Sequence, residues 1–152
     1  MTTTIHTATV RVAGGREGTA LSTDGALSIV LGKPAGDPVA EVGINPEHLF
    51  AAAFGSCFGS AIEAIARRDN VLIGPVTINA TVPLIRDQGM DYRLGVLLDV
   101  GLTAGSDHDD IVRIIRDADM ICPYSRAIAG NVNVAISVNG VALDAAHAPV
   151  PN

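Results

Sequence analysis

The sequence predicts a single α+β domain, and three observations carry that prediction. Short β-rich segments separated by Gly- and Asp-containing turns open the chain. A long segment with apolar residues at helical spacing follows, and after it come two alternating strands, a second amphipathic helix and a last strand. The order β-β-β-α-β-β-α-β, joined by hairpins rather than crossovers, is that of an α+β fold. At 152 residues the chain has the length of one domain, able to bury roughly two thirds of its unfolded surface.

Residues 5–12 are rich in β-formers and lead into Gly14-Gly15, a dipeptide that tolerates the positive φ of a tight turn. Strands are expected near 17–22 and 27–31, with Asp24-Gly25 as the second turn, which makes a three-stranded meander. Residues 32–44, rich in Gly and Pro, read as a loop. Asn45-Pro46-Glu47 then supplies an N-cap, a proline at the first helical position and an acid in the first turn. That helix is expected to run to about Asp69-Asn70, with the apolar stripe Phe50, Ala53, Phe54, Cys57, Ala61 and Ile65.

Val76, Ile78, Ala80, Val82 and Leu84 alternate with polar residues as one strand. Tyr92, Leu94, Val96, Leu98 and Val100 repeat the pattern after a turn at Asp87–Gly89. Ser106-Asp107 opens a second helix with the stripe Ile111, Ile114, Ile115, Ala118 and Cys122. Pro123 should end or kink it, because its ring blocks a continuing helix. Val132, Val134, Ile136 and Val138 form the last strand, and the tail from Ala145 is expected to be loose.

Composition excludes several classes of function. A formal charge of −6 disfavours nucleic acid or an anionic membrane as partner. No uninterrupted apolar run reaches the ~18 residues of a membrane span. MTTTIHTATV has neither a basic nor an apolar leader region, so a cytoplasmic location is expected. Disulfides are rare there as structural devices. The histidines at 6, 48, 108 and 147 are scattered without ligand spacing, so no metal is assigned.

Cys57 and Cys122 both fall on the apolar stripe of their helix. Such cysteines can be small core hydrophobes, yet these two differ in electrostatic setting. Cys57 lies three turns inside its helix, too deep for the N-terminal dipole, and as a nucleophile would need a nearby cation. Cys122 sits at the helix end that Pro123 interrupts, near carbonyls that disfavour a thiolate. That asymmetry would suit an attacking thiolate that is oxidised to a sulfenic acid and a second thiol that condenses with it. Sixty-four intervening residues rule out a CxxC box. Arg16 can equally be an exposed turn residue, Glu47 a first-turn acid and Tyr124 a packing residue.

Three segments carry a resemblance over roughly residues 5–140. NPEHLFAAAFGSCFGSAI resembles the first-cysteine helix of the OsmC/Ohr family, and ICPYSRAIAGNVNV its second-cysteine region. GGREGTALSTDGALSIVL resembles the arginine-bearing hairpin of its organic hydroperoxide resistance (Ohr) branch, and the tyrosine after Cys-Pro is typical of that branch. The resemblance implies an OsmC-like fold in which antiparallel sheets wrap central helices of an intertwined homodimer.

It further implies a peroxidase acting on organic (alkyl, fatty-acid) hydroperoxides, with Cys57 peroxidatic, Cys122 resolving, and Arg16 with Glu47 as the activating pair. No bound cofactor is implied, only an external dithiol reductant such as dihydrolipoamide or a lipoylated protein. A guanidinium withdrawn from water needs a partner, and Glu47 would supply one in bidentate geometry. Phe50, Phe54 and Phe58, with Tyr124, would line a pocket that favours a greasy alkyl tail. Glu47 and Cys57 stand ten residues apart on one helix, about 15 Å along its axis. A pair that serves Cys57 should therefore come from the other subunit.

The chain departs from the family pattern at His48, where glutamine is usual, and at Phe54, where tyrosine is common. Arg126 and Ala129 replace the usual Asn and Arg, and the 32–44 loop is short. Two other readings remain: a peroxidase of the stress-induced OsmC branch with a broader substrate range, and a non-enzymatic thiol sensor that is oxidised once and stops.

Overall fold

The computed structural model describes residues 2–32, 43–103 and 107–143. It divides into two compact units between Leu49 and Phe50.

The first unit is the expected meander. Strands β1 (Val10–Ala13), β2 (Thr19–Ser22) and β3 (Ser28–Val30) pair antiparallel in the order β1-β2-β3. β1 starts at Val10 rather than near residue 5, because the register Val10↔Ser22 exhausts β2, and a single further bond, from the Thr23 amide to the Thr9 carbonyl, extends the pairing. The β1–β2 connection is a 3-10 turn at Gly15–Glu17 entered through Gly14 at φ 79°. Gly18 closes it: a Cβ there would sit 1.7 Å from the Ala13 carbonyl oxygen, so only glycine lets the strands meet with Arg16 at the tip. Of the 32–44 loop, residues 33–42 lie outside the described residues, and Leu31 bridges Ile44 in parallel.

Helix α1 (Pro46–Arg68) begins where the cap signals place it. It ends in a Schellman motif, the Asn70 amide donating to the Arg67 carbonyl and the Val71 amide to that of Ala66, with Asn70 at φ 56°. α1 is long and apolar enough by length and mean hydropathy to cross a membrane, although no uninterrupted apolar run in it reaches the length of a span. Its apolar face is instead the core of the second unit, with Phe54, Phe58, Ala61, Ile62, Ile65 and Ala66 buried.

The second unit holds a sheet of β4 (Val76–Thr81), β5 (Leu84–Arg86), β6 (Tyr92–Leu102), β7 (Asn133–Val138) and β8 (Val141–Ala142). The single strand expected over 76–84 is broken. β4 and β5 both pair β6 in one continuous antiparallel register, Val76↔Leu102 to Leu84↔Leu94, but Pro83 interrupts the ladder for want of an N–H. Gly95 donates to the Pro83 carbonyl at 3.1 Å, and a Cβ on Gly95 would meet the proline ring at 3.2 Å.

The expectation of hairpins alone is also corrected, since β6 and β7 run parallel, Val96 opposite Val134. Parallel neighbours need a crossover, and it contains α2 (His108–Ile121) and α3 (Pro123–Ile128). β8 was not expected. It follows a turn at Asn139-Gly140 with φ 48° and 80°, the pair of positive angles that Asn-Gly favours in two-residue hairpins.

Asp107 caps α2 through the Asp109 amide, while Ser106 and the tail from Ala145 lie outside the described residues. Ile114, Ile115, Ala118 and Cys122 pack with Val96, Leu98, Val100 and Val134 of the sheet against α1. The α+β class stands.

Candidate functional site

The second unit brings the two cysteines together. Cys57 lies mid-α1, and Cys122 is both the last cap of α2 and the N-cap of α3, with Pro123 at N1. The Cys122 and Cys57 sulfurs lie within hydrogen-bond reach at 3.6 Å, and both are free. Bond formation needs the sulfurs to close to about 2.05 Å. Cys122 is fully buried and Cys57 partly exposed, so the second is the one a solute can reach.

Burial pushes the Cys57 thiol above its ordinary 9.0. The neighbouring Cys122 adds to this, since a second titratable sulfur makes the first proton harder to remove, while the Tyr124 backbone works the other way. Within this unit Cys57 is held as a thiol, and a cation is what would make it a nucleophile.

Phe50, Phe54 and Phe58 belong to the same hydrophobic cluster as the two cysteines. Phe54 stacks on Tyr124 with centroids 6.0 Å apart and meets Phe50 and Phe58 edge-on at 6.1 and 6.3 Å. Phe50 and Tyr124 also meet edge-on. The four are not equivalent: Phe54 and Phe58 are wholly buried, whereas Phe50 and Tyr124 reach the surface.

In the first unit Arg16 and Glu47 form an ion pair. A single nitrogen, Nη2, donates to both carboxylate oxygens at 2.7 and 2.5 Å, rather than two nitrogens in the expected fork. The guanidinium is also not withdrawn from water, its side chain being 53% exposed against 13% for Glu47. Glu47 raises the Arg16 pKa further. Burial alone would raise the Glu47 carboxyl, but the Arg16 hydrogen bonds, its own backbone amide and the charges of Arg16 and His48 together hold it below the ordinary range.

Two polar side chains that sequence patterning does not single out flank Cys122. Asp119 and Ser125 stand three residues before and after Cys122, and both are buried. The Ser125 hydroxyl has no hydrogen-bond partner among the described residues. Ser125 reads as polar in sequence, and only the packing of α3 shows it to be inside. No group of three His, Cys, Asp or Glu among the described residues is placed to hold a metal.

The family model for OsmC-like protein matches residues 36–137. The chain belongs to the OsmC-like protein family. Organic hydroperoxide resistance protein OhrA of Bacillus subtilis is 37% identical over 142 residues, covering 91% of this chain and 99% of that protein. The crystal structure of an organic hydroperoxide resistance protein OsmC from Legionella pneumophila superposes with a TM-score of 0.82 at 34% identity, covering 90% and 98% of the two chains. That of OhrB from Bacillus subtilis gives the same score and identity, covering 90% and 100%. The OsmC-like fold implied by the sequence motifs is thus the fold of this chain.

Proposed function

We propose that this chain is a thiol peroxidase that reduces organic hydroperoxides to alcohols in the cytoplasm. The observation that carries the reading is the 3.6 Å approach of two reduced cysteines, in a family whose relatives are named for organic hydroperoxide resistance. The Cys57 thiolate attacks the distal oxygen of ROOH, the O–O bond breaks, and the alkoxide leaves as ROH after taking a proton. Sulfur is oxidised to the sulfenic acid. Cys122 then attacks that sulfur, a disulfide forms, and the hydroxyl departs as water with the thiol proton. An external dithiol, a dihydrolipoyl group in our reading, returns both thiols and leaves as its own disulfide.

The raised pKa of Cys57 within its unit makes the need for a cation concrete. Arg16, oriented by Glu47, is the one we assign to it, lowering the thiol's pKa and meeting charge on the departing alkoxide. The ten-residue separation of Glu47 from Cys57 along α1 favours a homodimer in which the pair of one protomer serves Cys57 of the partner subunit. Phe50 and Tyr124, the ring pair at the surface, are the residues best placed to meet an alkyl tail.

The test is steady-state turnover of cumene hydroperoxide with dihydrolipoamide by wild type, Cys57→Ser and Cys122→Ser. Turnover lost in the first variant, with a sulfenate trapped in the second, supports the reading. One oxidation event without turnover in wild type would make the chain a sensor instead.

A further inference from the structure

The first turn of α1 is closed by a reciprocal cap that contains a titratable group. The Asn45 side-chain oxygen accepts from the His48 amide at 3.0 Å, and the Asn45 amide donates to His48 Nδ1 at 3.3 Å. This is the geometry of a capping box, with histidine at the position usually filled by Glu or Gln. Glu47, the ion-pair partner of Arg16, lies between the two capping residues. A glutamine oxygen accepts at every pH, but Nδ1 accepts only while it carries no proton.

We infer that His48 is a pH-sensitive positioning residue whose neutral ring closes the cap that holds Glu47 against Arg16, and whose protonation opens it. Three effects of protonation act together. The amide of Asn45, a residue only 8% exposed, loses its acceptor. A positive charge is placed in the first turn, where the helix dipole opposes it. The charged ring also competes with Arg16 for the Glu47 carboxylate, which already feels His48. Among the described residues, the charged groups linked to His48 are Glu47 on its own turn and, from the 3-10 turn, Arg16 through its pair with Glu47. The effect on turnover rests on the peroxidase reading, whereas the cap itself does not.

The experiment compares the full-length wild type, His48→Gln and His48→Ala between pH 8 and pH 5.5, a range across which imidazoles take up a proton. Amide exchange at Asn45 is read by NMR beside peroxidase turnover. At pH 5.5 the wild-type amide should exchange about three- to tenfold faster than that of His48→Gln at the same pH, and at pH 8 the two should agree. His48→Ala should exchange fast at both. Turnover of wild type relative to His48→Gln should fall by a similar factor between the two pH values. Parallel exchange profiles for wild type and His48→Gln would overturn the inference. So would a constant turnover ratio despite a pH-dependent Asn45 amide, because the cap would then not position Glu47. If no variant turns over at any pH while the amide behaves as expected, the cap is supported and the peroxidase reading fails.

Discussion

Cys57 and Cys122 hold their sulfurs 3.6 Å apart across 65 positions of sequence, one in the middle of a helix and the other at a break between two. Both residues belong to the core cluster, and bond formation would shorten their separation to about 2.05 Å. The electrostatic consequence is a Cys57 thiol that burial and its neighbour push up.

Replacing Cys122 with alanine should therefore lower the pKa of Cys57. In the Arg16→Ala protein, iodoacetamide should alkylate Cys57 slowly at pH 7 and faster as pH rises through and beyond the ordinary thiol value. The Cys122→Ala profile should lie at lower pH. Coincident profiles would mean that Cys122 has no hold on the Cys57 proton.

Arg16→Ala should reduce kcat/KM for an alkyl hydroperoxide by about two to three orders of magnitude, the usual loss for one transition-state donor. If the pair acts across the dimer, mixed dimers of Cys57→Ala and Arg16→Ala protomers contain one intact site and should recover part of the activity. No recovery after proven subunit exchange would sink the cross-subunit arrangement.

Local signals in the sequence are decisive where one residue type sets the outcome. Pro46, Asn45 and Pro123 each mark a helix boundary, and Cys57 lies on the helix expected of it, whereas Cys122 stands at the break between two helices. Partner choice was harder to read. The alternation of Val76 to Leu84 masked Pro83, whose missing N–H breaks the ladder without changing its register. Nothing local tells Val134 that its neighbour Val96 runs parallel to it, because strand direction is settled by the crossover. The Asn139-Gly140 pair is itself a hairpin signal, but the β8 that follows it is only two residues long and has no alternation to mark it. Arg16 and Glu47 form an ion pair, but its exposure and its single-nitrogen geometry could not be read from residue types alone.

Burial also separates residues that the sequence treats alike. Phe54 has no exposed surface and touches three rings. Its replacement by alanine should cost about 3–5 kcal/mol in denaturant unfolding. Ser125→Ala removes a buried hydroxyl that has no partner among the described residues, so stability should change by less than about 1 kcal/mol or rise. A large loss in Ser125→Ala would show that the hydroxyl is hydrogen-bonded in solution.

The end of α1 gives a prediction with a definite pH sign. Asp69 follows the last helical turn, where a negative charge opposes the helix dipole. It is tolerated because Arg68 donates to it at 2.6 and 3.1 Å and Arg113 reaches it from α2, while Arg68 also holds Asp117 and Arg113 holds Asp110. The hydrogen bond from Arg68, then that from Arg113, hold the Asp69 carboxyl far below its ordinary 3.8. A depressed carboxylate stabilises the folded chain above its unfolded pKa, and that contribution is lost as pH falls through the folded one. Asp69→Asn should thus lower Tm at pH 7, and the gap from wild type should narrow as pH drops below about 4. Salt should narrow it as well, because the network is at the surface and open to screening. A Tm difference that is constant from pH 7 to pH 2.5 would mean that the arginines contribute packing rather than charge.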